Sequence, residues 1–163
     1  MRTPKWEDLD DSLELINSLV EEKADVLRSE RVSREEETDW LSKVLSKLEK
    51  DEAFYMVAEV GGKVVEISQI DRRGGYDRHV GVIGIAIRKD FRDLGVGAEI
   101  MRMLVEQGRK MGLKVLTLSA FASNERAIRV YEKMGFVQTG RIPKKHFKED
   151  RYIDDVIMTM VLE

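Results

Sequence analysis

The stretch Gly81-Val-Ile-Gly-Ile-Ala-Ile-Arg-Lys-Asp-Phe-Arg-Asp-Leu-Gly-Val-Gly97 organises the reading of the whole chain. Val82 to Ile87 is uncharged and rich in β-branched residues, which is the composition of a strand buried on both faces. Gly95 and Gly97 stand where the chain must bend and begin a helix. From Ala98 to Met111 the apolar residues Ile100, Met101, Leu104, Val105 and Met111 recur at helical spacing.

Strand, glycine turn and helix start together carry a chemical expectation. The first N–H groups of a helix have no partner within it, and the macrodipole makes that end positive. Glycine lets an anion approach the backbone closely. The turn therefore suits a phosphate or pyrophosphate, and Arg92 can add charge. The plainer alternative is a turn whose glycines serve backbone geometry alone. Two phosphate motifs are excluded. No Gly-x-x-x-x-Gly-Lys-Ser/Thr occurs, and Ile100 stands where the dinucleotide fingerprint needs a third glycine.

The chain has 163 residues, 42% hydrophobic and 36% charged, which suits a soluble globular protein with a sizeable core. One domain over residues 1–163 is expected. No apolar run reaches the length of a membrane span, no signal region opens the chain, and a cytoplasmic location follows by default. The absence of cysteine excludes disulfides, thiolate metal ligands and an acyl-cysteine intermediate. With only His79 and His146, far apart, no metal site is expected. At a net charge of −3, general affinity for nucleic acid is not expected either.

Outward from the central stretch, Leu9 to Leu27 reads as an amphipathic helix. Ser33-Arg-Glu-Glu36 is a capping box that opens a second helix running to Lys50. The acidic run Glu35 to Glu37 suits the positive end of that helix, and it would also suit a cationic substrate. Ala53 to Val60 and Lys63 to Ile70 form a hairpin around Gly61-Gly62. Beyond the central helix, Val115 to Ala120 is a buried strand, expected to run parallel to the central one. Asn124 to Met134 is a short helix ended by Gly135. Val137 to Phe147 and Tyr152 to Leu162 are strands joined by a charged turn. The result is an α/β fold with a mixed sheet and helices on its faces.

Within the short helix, Asn124, Ala127 and Tyr131 share one face. Alone, they read equally as a cap, a packing position and a core tyrosine. Their order along the chain decides between the readings. Arg92-Asp-Leu-Gly-Val-Gly97 and Asn124-Glu-Arg-Ala-Ile-Arg-Val-Tyr-Glu-Lys-Met-Gly-Phe136 occur in register, separated by a helix and a strand. The pair resembles the two hallmark segments of the GCN5-related N-acetyltransferase (GNAT) superfamily, over about residues 53–162.

The resemblance implies a mixed central sheet splayed in a V, with acetyl-CoA as co-substrate in the cleft. Backbone N–H groups of Arg92, Asp93, Leu94, Gly95, Val96, Gly97 and Ala98 would hold the pyrophosphate. Ile85 and Ile87 would pair with the pantetheine arm as an added strand does, and the Ile87 N–H would polarise the thioester carbonyl. Asn124 and Ala127 would line the cofactor, and Tyr131 would protonate the departing thiolate. The acceptor would be a primary amine on a small molecule, amino acid, polyamine or protein N-terminus.

A base is expected, because a free amine is largely protonated at neutral pH. Relatives often carry a glutamate on the strand before the acetyl-CoA loop, but Val80 to Ile87 has no carboxylate. The candidates are Glu66, His79 and Asp154. Only Met1 to Pro4 precede Trp6, so the usual first strand is short or absent, and the edge it leaves is a candidate homodimer contact. Two rival readings stand beside the enzyme: a non-catalytic acyl-CoA sensor, and a nucleic-acid or ribosome-binding module using Arg141, Lys144, Lys145 and Lys148. No membrane partner is expected.

Overall fold

The computed structural model describes residues Met1–Glu163. Its elements run α1 (Leu9–Glu21), α2 (Arg34–Glu49), β1 (Ala53–Val60), β2 (Lys63–Arg72), β3 (Val80–Ile87), α3 (Val96–Lys110), β4 (Val115–Phe121), α4 (Glu125–Lys133), β5 (Val137–Lys148) and β6 (Arg151–Val161). The strands form one six-stranded sheet in the order β1-β2-β3-β4-β6-β5. Only the β3–β4 pair is parallel, as a helical crossover requires. No helix is long and apolar enough to cross a membrane.

The two faces carry separate cores. Ile100, Met101, Leu104 and Val105 of α3 pack on Ile70, Ile83, Leu116 and Met158 of the sheet. On the other face, Leu15 and Leu19 of α1 cover Val57, Val64 and Ile67, while Leu41 and Val44 of α2 cover Ala53 and Tyr55. Ser33 caps α2 with a full capping box: its hydroxyl accepts from the Glu36 N–H at 3.2 Å, and Glu36 accepts from the Ser33 N–H at 2.8 Å.

The sheet opens at its middle. β3 and β4 pair only through Val80↔Val115, Gly81↔Leu116 and Val82↔Thr117, although the strands run on to Ile87 and Phe121. Beyond Val82 they diverge, and the gap is the expected V.

Helices α1 and α3 have boundaries that differ from the sequence reading. Helix α1 stops at Glu21 rather than Leu27, because Lys23 takes a left-handed φ of 54° and the chain turns back. The returning loop is pinned by Asn17, whose side-chain amide donates to the Val32 carbonyl at 3.0 Å and accepts its N–H at 2.8 Å. Leu27, placed in the helical stripe by its spacing, is 78% exposed. The first strand survives as one bridge, in which Arg2 and Val57 exchange backbone hydrogen bonds at 2.8 and 3.0 Å. Helix α3 begins at Val96 rather than Ala98, directly after Gly95 at φ 76°.

Candidate active site

The gap between β3 and β4 is the mouth of a cleft of about 440 Å³ that opens toward α1 and α2. The hydrogen-bond phase of β3 decides what its backbone presents there. The Arg88 N–H donates to the Val65 carbonyl at 2.9 Å, and the Arg73 N–H donates to the Val80 carbonyl at 2.9 Å. Bonded and non-bonded pairs alternate in an antiparallel ladder, so Ile85↔Ser68 and Ile87↔Glu66 are non-bonded pairs. The N–H groups of Ile85 and Ile87 therefore point away from β2, into the gap. The Ile87 carbonyl also faces that way and accepts from Nε of Arg92 at 2.9 Å.

At the end of β3 the chain forms a cradle. Asp93 and Gly95 both take left-handed φ, 72° and 76°, and the first backbone bond of α3 is from the Glu99 N–H to the Gly95 carbonyl. The N–H groups of Val96, Gly97 and Ala98 precede that bond and have no acceptor within the helix, so the turn presents a row of donors at the positive helix end. The side chain of Asp93 pairs with Arg126 of α4, and Leu94 is 69% exposed. Arg92 does not reach into this cradle. Its guanidinium pairs with Glu22 and ties the end of α1 to the end of β3. Arg88 makes a parallel tie, donating to the Val64 carbonyl at 3.0 Å and to Glu14 at 3.1 Å.

Across the gap stands α4. Asn124 lines the cleft while its side-chain oxygen accepts from the Ala127 N–H at 3.2 Å, so it is also the helix cap. Ala127 itself is partly buried and is not in the cleft wall. Tyr131 lines the cleft, and burial pushes its phenol pKa above the usual tyrosine value.

The base candidates are placed elsewhere. Glu66 is 0% exposed and stands on the α3 face of β2 with Ser68 and Ile70, away from the cleft. Burial pushes its pKa up to about 7. The Ser68 hydroxyl and the Ala58 N–H pull the other way, yet neither closes a hydrogen bond with the carboxyl oxygens. His79 is exposed where β3 begins, at the closed end of the V, and its carbonyl accepts from the Lys114 N–H at 2.8 Å. Asp154 holds a β-bulge, accepting from the Arg141 side chain at 2.6 Å and the Lys144 N–H at 2.8 Å. None of the three meets the cleft.

The carboxylates in the cleft wall are Asp25, Glu37 and Asp155. Asp155, 2% exposed, sits at the floor, where Lys145 (2.7 Å) and His146 (3.0 Å) reach it. Burial opposes its charge, but these two partners outweigh burial and hold its pKa below the usual carboxylate range. The His146 ring stacks on Phe121 at 3.9 Å. Glu37 is 5% exposed, and burial raises its pKa. Its signal is present in the sequence: positions 37, 41 and 44 share one helical stripe, so an acid stands in line with buried Leu41 and Val44. Asp25 belongs to the loop read as the end of the first helix and Arg28 lies directly beyond it, so nothing in the periodicity marks them.

The description "Acetyltransferase (GNAT) family" matches residues 13–136. An L-methionine sulfoximine/L-methionine sulfone acetyltransferase of Pseudomonas aeruginosa is 28% identical over 79 residues, 48% of this chain and 46% of that protein. An L-amino acid N-acetyltransferase of Escherichia coli is 29% identical over 103 residues, 63% of this chain and 61% of that protein. The chain thus spans between about half and three fifths of the length of these relatives. A GNAT superfamily phosphinothricin acetyltransferase from Sinorhizobium meliloti, solved in complex with acetyl-CoA, superposes with a TM-score of 0.86. The superposition covers 99% of this chain and 86% of that one, at 18% identity, and establishes a shared fold.

Proposed function

The chain belongs to the acetyltransferase (GNAT) family, and from that membership we propose that it is an acetyl-CoA-dependent N-acetyltransferase acting on a small primary amine. Residues 1–163 act as one such domain. Free amino acids are the favoured acceptor class: the two curated relatives described above are named for acetylating amino acids or amino-acid derivatives. A cleft of about 440 Å³ also suits a small molecule better than a folded protein surface.

The observation that carries the reading is the parted β3–β4 pair. It leaves the N–H groups of Ile85 and Ile87 facing the gap, in line with the bare N–H groups of Val96, Gly97 and Ala98. Those donors fit an extended amide-bearing arm ending in a pyrophosphate. Acetyl-CoA supplies an acetyl group activated as a thioester. The Ile87 N–H stabilises charge on the reacting carbonyl oxygen. Tyr131 keeps its proton at neutral pH and delivers it to the leaving sulfur. No nucleophilic side chain is required.

A thermal melt with excess acetyl-CoA tests this, with ATP and NAD as controls. At about 100 times its dissociation constant a ligand stabilises by about 2.7 kcal/mol, a rise of about 5–10 °C for a chain of this size. Amines are then screened by release of free CoA. A rise with all three nucleotides, or with none, removes the reading.

A further inference from the structure

Of the three carboxylates in the cleft wall, two are already engaged. Asp25 accepts from Lys148 at 2.5 Å, and Asp155 is held by Lys145 and His146. Glu37 has no ion-pair partner. The nearby Ser12 hydroxyl of α1 donates to the Leu9 carbonyl at 3.0 Å. Arg28 is the one cation in the cleft wall, and it too is unpaired. It lies close enough to Glu37 to favour that carboxylate's charged form without touching it. One cation at the exposed mouth and one buried carboxylate beside the Ser12 hydroxyl, neither with an ion-pair partner, thus face the same space. Their chemistry is the complement of a zwitterion.

Glu37 reaches the cleft from α2 on one face of the sheet, and Tyr131 reaches it from α4 on the other. A proton acceptor and a proton donor therefore flank the gap in which Ile85 and Ile87 expose their N–H groups. Resting on the acetyl transfer proposed above, we propose that Arg28 receives the carboxylate of an α-amino acid, and that Glu37 receives its ammonium and is the base that frees the amine. The ammonium gives one proton to Glu37, which passes it to solvent. The nitrogen then forms its bond to the thioester carbonyl carbon, and the carbon–sulfur bond breaks. Sulfur takes the Tyr131 proton, and the proton shed by the new amide nitrogen restores the phenol. The sum is ammonium plus thioester giving amide, thiol and one released proton. The charged groups facing Glu37 are Arg28 from the loop after α1, and Asp25 and Asp155 in the same cleft.

The test uses the full chain, with L-leucine and its decarboxylated counterpart isopentylamine as probes beside a panel of the other common amino acids. Glu37→Gln keeps the side-chain shape. It should lower kcat/KM by about 100-fold or more at pH 7, with activity recovering toward pH 9–10 as the amine loses its proton unaided. Glu37→Asp should restore part of the loss. Arg28→Ala should raise KM for the amino acid about tenfold or more, and KM for isopentylamine by less than about threefold. Stabilisation by acetyl-CoA in the melt should be the same in wild type and variants. A pH profile unchanged in Glu37→Gln overturns the base, and equal effects of Arg28→Ala on both probes overturn the carboxylate site. Binding of acetyl-CoA with no CoA release for any amino acid overturns the acceptor class alone. No stabilisation of the wild type by acetyl-CoA removes the underlying reading.

Discussion

At the scale of single residues, the cleft depends on side chains whose burial sets their protonation. The Tyr131 phenol is raised by burial, so it stays protonated well into the alkaline range. Tyr131→Phe removes the proton and keeps the ring against Phe136, whose centroid lies 6.4 Å away. Turnover should fall at least about tenfold, with acetyl-CoA affinity by calorimetry within about twofold of wild type. Unchanged turnover would end the acid role. Gly95 tests the cradle instead of the chemistry. At φ 76° an alanine strains the backbone by about 1–2 kcal/mol, although its Cβ meets nothing within 4 Å. Gly95→Ala should therefore weaken acetyl-CoA binding about tenfold and leave turnover at saturation close to wild type. A variant that binds as tightly as wild type would show that the turn does not hold the ligand.

At the scale of elements, the V depends on how briefly β3 and β4 meet. Gly81 lies in the middle of their three paired positions, where an added Cβ would stand 2.6 Å from Ile70 Cγ2 and 2.7 Å from Leu113 Cδ1. Gly81→Ala should cost about 1–3 kcal/mol by overpacking, a fall of about 2–10 °C in Tm. Gly74→Ala, with open space around it, should stay within about 0.5 kcal/mol of wild type. Equal Tm values for the two variants would deny the junction its tight packing. The same elements show what could be read in advance. Local patterns carried β3, the Gly95 turn, α3 and the capping box at Ser33, because each depends on neighbours a few residues away. The end of α1 was not legible: Leu27 continues the apolar spacing, and only the long-range grip of Asn17 on Val32 turns the chain back. Likewise, the sequence offers Glu66 as a candidate base, and only the phase of β2 puts it on the α3 side of the sheet, away from the cleft.

At the scale of the whole molecule, buried carboxyls set a pH dependence of stability with two opposing limbs. Asp8 is buried, which alone would raise its pKa, but both its oxygens accept from Arg2, at 2.6 and 2.7 Å, and the net shift is downward. Asp155 is lowered in the same way by Lys145 and His146. Groups lowered on folding contribute stability above their unfolded pKa near 4 and lose it as pH falls further. Glu66 works in the opposite sense. Its pKa rises from 4.5 to about 7 on folding, so the folded state binds the proton more tightly between those values. Stability is therefore lost as pH rises through that window, by about 3 kcal/mol once Glu66 is ionised. Glu37, also raised by burial, adds to the same limb. Together these shifts place maximum stability between about pH 4 and 6, below neutrality. Glu66→Gln removes most of the upper limb. Denaturation across pH 3–9 should show wild type and variant converging near pH 5, with the variant more stable at pH 8 by about 1–3 kcal/mol. A wild-type curve that climbs from pH 5 to 8 would mean that Glu66 finds a partner for its charge, and the buried, unbonded carboxyl beneath α3 would have to be abandoned.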